Sequence, residues 1–386
     1  MPANSENYFP GLEGVNVDTT RLSFVDGQKG NLFYCGYSIE DLAEHCNFAE
    51  VAYLLLHGEL PNQQQIDSFQ EELLAERYLD PHLKSIITLT PKDGHPMAVL
   101  QALVAQLAMH DKEIADRSLE AKRRKAIRII AKLPLVVTYF ENVRTGMRTV
   151  EPRMDLGHAA NYLWMLTGEE PTPEAVKVFD TALTLHMDHG CNNSTFTCRV
   201  VSSTEADIYS AVVAAIGSLS GPLHGGANER VIHMLESIEE LDEVEPFIDA
   251  KVASKEKIMG FGHRVYKVMD PRAKILRDLA GKFVVADPEM DKCLKKANLF
   301  YKITEERFQA KGKMDIWPNV DFFSGVLYKA LGLPRDFFTP VFAISRVVGW
   351  VAHHFEQMED NRIYRPRFIY EGAELGRKFK KMDKRT

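Results

Sequence analysis

From residue 47 onward the sequence is punctuated for helices and almost nowhere for strands. Asn47-x-x-Glu50 has the pattern of a capping box, ahead of Val51-Ala-Tyr-Leu-Leu-Leu-His-Gly58. Thr172-Pro173-Glu174 supplies a cap, a first-turn proline and a first-turn acid for a stripe of Val176, Phe179, Leu183 and His186, and Gly190 reads as the stop. Thr204-x-x-Asp207 opens a further helix carrying Ile208, Val212, Ala215 and Leu219, closed by Gly221-Pro222. Strand signals precede all of these. Leu22-Ser-Phe-Val25 and Asn31-Leu-Phe-Tyr34 flank the turn-rich Asp26-Gly-Gln-Lys-Gly30, which predicts a small hairpin. The lack of strands alternating between the helices argues against a βαβ fold, and a mainly α-helical protein is predicted.

Composition sets the outer bounds. The chain has 386 residues, 45% hydrophobic and 26% charged, which excludes a disordered chain, a collagen-like chain and a disulfide scaffold. At roughly 100–200 residues per domain, two or three domains are expected. A formal net charge of −7 supplies no field that would favour nucleic acid. Five cysteines without a C-x-x-C pair point to a reducing, cytoplasmic compartment. The first seven residues have neither the basic nor the apolar stretch of a secretory signal, and no apolar run approaches the ~18–20 residues of a membrane span. Charge is uneven, with an acidic stretch at 236–245, a basic one at 122–128 and six cations at 377–385, all read as solvated faces or a loose terminus.

Three stretches combine histidine with glycine: Leu185-His-Met-Asp-His-Gly190, Gly221-Pro-Leu-His-Gly-Gly-Ala-Asn-Glu229 and Met259-Gly-Phe-Gly-His-Arg-Val-Tyr-Lys267. Glycine beside a polar side chain lets a ligand approach the backbone, although it is also an ordinary helix stop. His186 and His189 could share a helix face, yet the other ligands of a zinc site are missing nearby, so His186 reads as a packed core residue and no metal is expected. Gly260-x-Gly262 lacks the third glycine of a dinucleotide loop, because position 265 is valine. Lys255, Lys257, Arg264, Lys267, Arg272, Lys274 and Arg277 crowd one segment that suits a phosphate-rich ligand or, equally, a solvated basic face. Asp321 sits where a helix cap would be, ahead of 322–331, and a cap and a catalytic base look alike in sequence. Arg346 lies inside an apolar helical run, where a guanidinium costs several kcal/mol unless an acid or an anionic substrate pairs with it.

These segments together resemble the citrate synthases. H-x-x-H-G, G-P-x-H-G-G-A-N-E, G-F-G-H-R-V-Y-K-x-x-D-P-R-A, P-N-V-D-F-F-S-G, S-R-V-V-G-W and R-P-R occur in the family's order. Gly11-Leu-Glu-Gly-Val15, Tyr34-Cys-Gly-Tyr37 and Gly94-His-Pro-Met97 also look like the shorter bacterial and archaeal members, so the resemblance spans essentially the whole chain.

The resemblance implies condensation of acetyl-CoA with oxaloacetate and hydrolysis of citryl-CoA, with no cofactor beyond these substrates. It makes Asp321 the base, His224 the donor to the thioester oxygen and His263 the group that polarises the oxaloacetate carbonyl. His189, Arg272, Arg346 and Arg365 would bind oxaloacetate and citrate, Arg365 reaching in from a neighbouring subunit of a homodimer. Lys257, Ile258, Met259, Gly260 and Phe261 match the CoA-contacting segment. The implied fold has a large helical domain (1–220 and 332–386) and a small helical domain (221–331) that closes over the substrate. Assemblies larger than a dimer, including hexamers, occur among short members, and the tail from residue 376 could support subunit contacts.

Two alternatives share this scaffold. A 2-methylcitrate synthase would use propionyl-CoA; dedicated members often carry Pro after the loop histidine and lack R-P-R, whereas this chain has Arg264 and Arg365-Pro-Arg367. A non-catalytic acyl-CoA or dicarboxylate sensor would be expected to have lost a catalytic position, and His224, His263 and Asp321 are all present.

Overall fold

The computed structural model describes residues 8–284, 287–312 and 316–385. The N-terminal stretch read for a secretion signal lies outside these, as does Thr386, the residue after the basic stretch 377–385. The expected hairpin is present as β1 (Ser23–Asp26) and β2 (Asn31–Tyr34), paired antiparallel with Ser23 opposite Tyr34 and Asp26 opposite Asn31. The Asp26 carboxylate accepts from the amides of Gln28 and Lys29, and Gly30 closes the turn at φ +72°. A third short strand, β3 (Tyr37–Ser38), extends the sheet and was not expected.

The rest of the described structure is helical. The first half of the chain forms α1 (Ile39–His45), α2 (Phe48–His57), α3 (Gln63–Ala75), α4 (Pro81–Leu89), α5 (Pro96–His110) and α6 (Leu119–Thr145). It continues with α7 (His158–Thr167), α8 (Pro173–His186), α9 (Asn193–Ser202) and α10 (Ile208–Leu219). Then come α11 (Ala227–Glu236), α12 (Val244–Ala253), α13 (Pro271–Phe283), α14 (Pro288–Ala310), α15 (Val320–Ala330) and α16 (Phe338–Glu359). No described helix is long and apolar enough to cross a membrane, and none of the five cysteines is paired.

Local chemistry sets these boundaries. The capping box of Asn47 and Glu50 is made in full at α2, and Thr172 caps α8 ahead of Pro173. Two boundaries differ from the sequence reading. Asp207, not Thr204, caps α10; Thr204 belongs to the turn after α9, where its hydroxyl donates to Val201 O. α8 ends at His186, so Gly190 lies in the following turn, at φ +57°, rather than at the helix stop. The basic stretch 122–128 is not simply a solvated face either. Lys125 is buried and donates to Ile114 O and Asp116 O, and Arg128 pairs with Asp111, Glu76 and Glu113. The acidic stretch carries exposed pairs, Glu240 with Lys292 and Glu245 with Arg307.

α16 is the axis of the core. It packs against α2, α6, α8, α9 and α10 and is buried almost from end to end, with Trp350 wholly inside. α11, α13 and α14 pack on α15, and α12 packs on α14. α13 also touches α1 and α8, and α11 touches α16, which brings the two groups of helices together around a buried polar cluster.

Candidate active site

The turn after α8 presents His189. His186 is the packed core residue the sequence suggested: it is fully buried, with Nδ1 2.7 Å from Ala182 O and its ring edge-on to Phe342. His189 lies beyond the helix end, its Nε2 3.2 Å from the Tyr266 hydroxyl and its ring 5.3 Å from that of His263. α16 presses against this turn so closely that a Cβ at Gly349 would stand 2.3 Å from Met187 O, which accounts for the glycine of S-R-V-V-G-W. Three residues earlier Arg346 is buried, and its Nε donates to His186 O at 2.7 Å. Its Nη2 has no partner, and no carboxylate among the described residues lies within ion-pair distance. Burial pulls this guanidinium down to about 10, against the opposing charge of Asp188.

The loop between α12 and α13 presents His263. Gly260 has φ +78°, and a Cβ there would meet Val231 and Phe322 at 2.8–2.9 Å, so only glycine fits. Backbone bonds tie this loop to the approach to α15: Gly262 N donates to Trp317 O and Asn319 N to Gly260 O, both at 2.8 Å. His263 Nδ1 accepts from the amides of Val265 (3.0 Å) and Tyr266 (3.1 Å). That pattern assigns the ring proton to Nε2 and leaves an N–H to donate. Asp270 then caps α13, and its carboxylate takes Arg272 Nε at 3.0 Å and Nη2 at 2.7 Å. The resemblance implied that Arg272 binds oxaloacetate, and said nothing of a partner within the chain that could replace such a ligand. The guanidinium is half engaged, with its remaining N–H groups left for a ligand.

His224 and Asp321 complete the cluster. His224, between α10 and α11, sets Nε2 2.8 Å from Ser194 Oγ, and the Ser194 amide donates to the same nitrogen at 3.2 Å. Trp350 Nε1 fixes that serine hydroxyl at 3.1 Å. The network assigns the His224 proton to Nδ1. Asp321 is not the cap of α15: Asn319 is, accepting from the Asp321 amide at 3.1 Å. The Asp321 carboxyl is therefore free of capping, and its Oδ1 has no hydrogen-bond partner.

Electrostatically the cluster is three neutral imidazoles, an acid near its midpoint and two cations. Burial lowers His224 and His263 to about 4, with Arg346 and Arg272 adding to the respective shifts, and also holds His189 well below its ordinary value. Burial raises Asp321 to about 7, against the pull of Arg272 and Arg346. The ligand atoms of His189, His263 and Asp270 lie within 4.8 Å of one another. Asp270 is committed to Arg272, His263 Nδ1 to backbone amides, and two guanidinium groups face the space, so the charge there favours an anion over a metal ion.

The fold thus assembles His189, His224, His263, Arg272, Arg346 and Asp321 from five separated segments. Lys257 is exposed beside the cluster's loop, Ile258 and Gly260 are buried under it, and Met259 and Phe261 are half-buried. Arg365 is not brought in by its own chain: it is exposed, and its Nη1 donates to Pro366 O. Sequence reasoning missed Ser194, Tyr266, Asp270 and Trp350 as supports. Asp270 had a detectable signal, since Asp-Pro-Arg is a helix start that puts the arginine in the first turn.

The family profile described as "Citrate synthase, C-terminal domain" matches residues 11–367. The chain is 45% identical to the citrate synthase of Synechocystis sp., over 96% of this chain and 93% of that one. It is 46% identical to that of Haloferax volcanii, over 94% and 95%. It superposes on the citrate synthase of Thermoplasma acidophilum, solved as a ternary complex with carboxymethyl coenzyme A and oxaloacetate, with a TM-score of 0.92, 34% identity and full coverage of both chains.

Proposed function

The chain belongs to the citrate synthase family and condenses acetyl-CoA with oxaloacetate to give citrate and CoA, and from that premise we propose which residues carry each step. Asp321 takes the methyl proton of acetyl-CoA. A carboxyl held near 7 is about half ionised at neutral pH and binds a proton far better than an ordinary carboxylate. His224 donates its Nδ1–H to the thioester oxygen as the enol forms, a role in which losing one donor costs ~10²–10³ in rate. The enol carbon then attacks the oxaloacetate carbonyl, and His263 supplies its Nε2–H to the oxygen that gains charge. Water hydrolyses the resulting citryl thioester. Both histidines are neutral, so they act as weak-acid donors, suited to an oxyanion of comparable basicity.

His189, Arg272 and Arg346 bind oxaloacetate, and Arg365 of a second subunit completes the clamp in a homodimer. The exposure of Arg365 in the single chain supports that placement. Residues 257–261 take the acyl-CoA chain, with Lys257 at the solvent side. Residues 221–331 form the smaller domain, which closes on the larger so that the enol is kept from water. The packing of α11–α15 on one another supports that boundary. No metal or further cofactor takes part, and the unpaired cysteines suit a cytoplasmic setting.

One observation carries the assignment. Buried Arg346 has no carboxylate within ion-pair distance and an Nη2 with no hydrogen-bond partner among the described residues, and its charge is felt by a carboxyl raised to about 7, an arrangement that is costly until a small dianion arrives. The test is thiol release from acetyl-CoA and propionyl-CoA with and without oxaloacetate, corrected for the protein's own cysteines. Rapid oxaloacetate-dependent release favouring acetyl-CoA is expected. Preference for propionyl-CoA would make it a methylcitrate synthase, and no release from folded, oxaloacetate-binding protein would leave a sensor.

A further inference from the structure

The β1–β2 hairpin touches both substrate-facing histidine loops, one at each end. At its open end Ser23 Oγ donates to the Asp188 carboxylate and accepts from Gly190 N at 2.9 Å. Tyr34, opposite Ser23, is fully buried and exchanges hydrogen bonds with Asp188, donating to its carbonyl at 2.8 Å and accepting from its amide at 3.1 Å. These bonds grip His189 from both sides in sequence. At the turn end Gly27 O accepts from Lys267 N at 2.8 Å. A Cβ on Gly27 would lie 2.2 Å from Val265 O and 2.7 Å from the Val265 carbonyl carbon, and one on Gly30 would lie 2.7 Å from Val268 Cγ2. The Val265 and Tyr266 amides held there are the ones that fix His263 Nδ1. A four-residue strand spans about 10 Å, so each end of the hairpin reaches a different loop.

We propose that this hairpin is a rigid spacer setting the separation of His189 and His263, with Gly27 and Ser23 as positioning residues for oxaloacetate. The inference rests on the assignment of both histidines to that substrate. Glycine is needed at 27 because the obstruction is backbone, which cannot rotate aside as a side chain can. An added methyl group must push the 265–267 backbone outward and carry His263 away from His189. Substrate binding then has to pull the loop back, so the cost falls on affinity and not on the bound complex.

The experiment is steady-state kinetics of Gly27→Ala and Ser23→Ala, with Gly281→Ala as a control at a site where a Cβ meets open space. For Gly27→Ala the KM for oxaloacetate should rise about tenfold or more, with kcat at saturation within about threefold and the KM for acetyl-CoA unchanged. Ser23→Ala should shift the same parameter in the same direction, and Gly281→Ala should shift neither. Should Gly27→Ala not yield folded protein, Ser23→Ala carries the test alone. An unchanged oxaloacetate KM in the folded variants, or a loss confined to kcat or thermal stability, overturns the proposal. His189→Gln separates the two levels. If it leaves the oxaloacetate KM untouched, the substrate assignment fails; if it raises KM while the hairpin variants do not, only the spacer fails.

Discussion

Burial acts in opposite directions on the two ionisable groups that matter most here. It pulls Arg346 down to about 10 and pushes Asp321 up to about 7, because in each case it disfavours the charged form. Among the described residues, therefore, Arg346 keeps its charge without a counter-ion and the Oδ1 of Asp321 lacks a hydrogen-bond donor. Oxaloacetate supplies the missing negative charge. Removing one partner of a buried charge pair costs roughly 2–5 kcal/mol, so Arg346→Ala should raise the oxaloacetate KM by about 30-fold or more. Arg346→Lys should restore little of this, since an ammonium lacks the planar fork. Near-normal affinity in a folded Arg346→Ala protein would remove its assigned role. The sequence already marked Arg346, because a guanidinium within an apolar helical run demands an explanation. It could not separate the two readings of Asp321. The structure removes the cap reading, by giving the cap to Asn319, two residues earlier.

At the scale of elements, the start of α15 is where stability and chemistry share a residue. Asn319 caps the helix through Oδ1 and donates through Nδ2 to Gly262 O at 3.1 Å, one residue before His263. Asn319→Ala should cost about 1–2 kcal/mol, a cap together with one further hydrogen bond. It should also lower kcat, since Asp321 and His263 lose their common tie. Urea unfolding and steady-state kinetics on the same preparation would check both; a stability loss with unchanged kcat would make the tie purely structural. Caps and turns such as Asn47, Thr172 and the 26–30 turn were legible because they are satisfied by neighbours in sequence. Lys125 and Arg128 were not, because their partners lie at 111–116 and at Glu76, and a basic run looks the same whether those acceptors are near or absent. The hairpin was predicted as an element, yet its contacts with 188–190 and 265–269 depend on a tertiary arrangement that local pattern does not carry.

Across the described residues, six histidines are held far below their usual value, His158 and His186 near 3, His224, His263 and His354 near 4, and His189 well below 6.5, all chiefly through burial. Each contributes stability that is present above 6.5 and lost as pH falls toward the folded value, because only the unfolded chain takes up the proton in that window. Asp321, Asp180 and Glu141 have raised values and oppose this, but they are fewer. At about 1.4 kcal/mol per pH unit for each net proton, the free protein should lose stability steeply between pH 6.5 and 4. Calorimetric midpoints across that range should fall, and a level profile would contradict the burial of these rings. Helical class and the order of the site segments were legible from the chain alone. The meeting of those segments around one buried polar cluster was not, since it depends on how α13 and α11 lean against α8 and α16.

The most direct test is oxaloacetate-dependent thiol release by Asp321→Ala alongside calorimetric binding of oxaloacetate to the same protein. Removal of the base should cut release by about 10²–10⁴-fold while oxaloacetate still binds, because Asp321 acts on the other substrate. Release near the wild-type rate from a protein that binds oxaloacetate normally would contradict the assignment of Asp321 as the base.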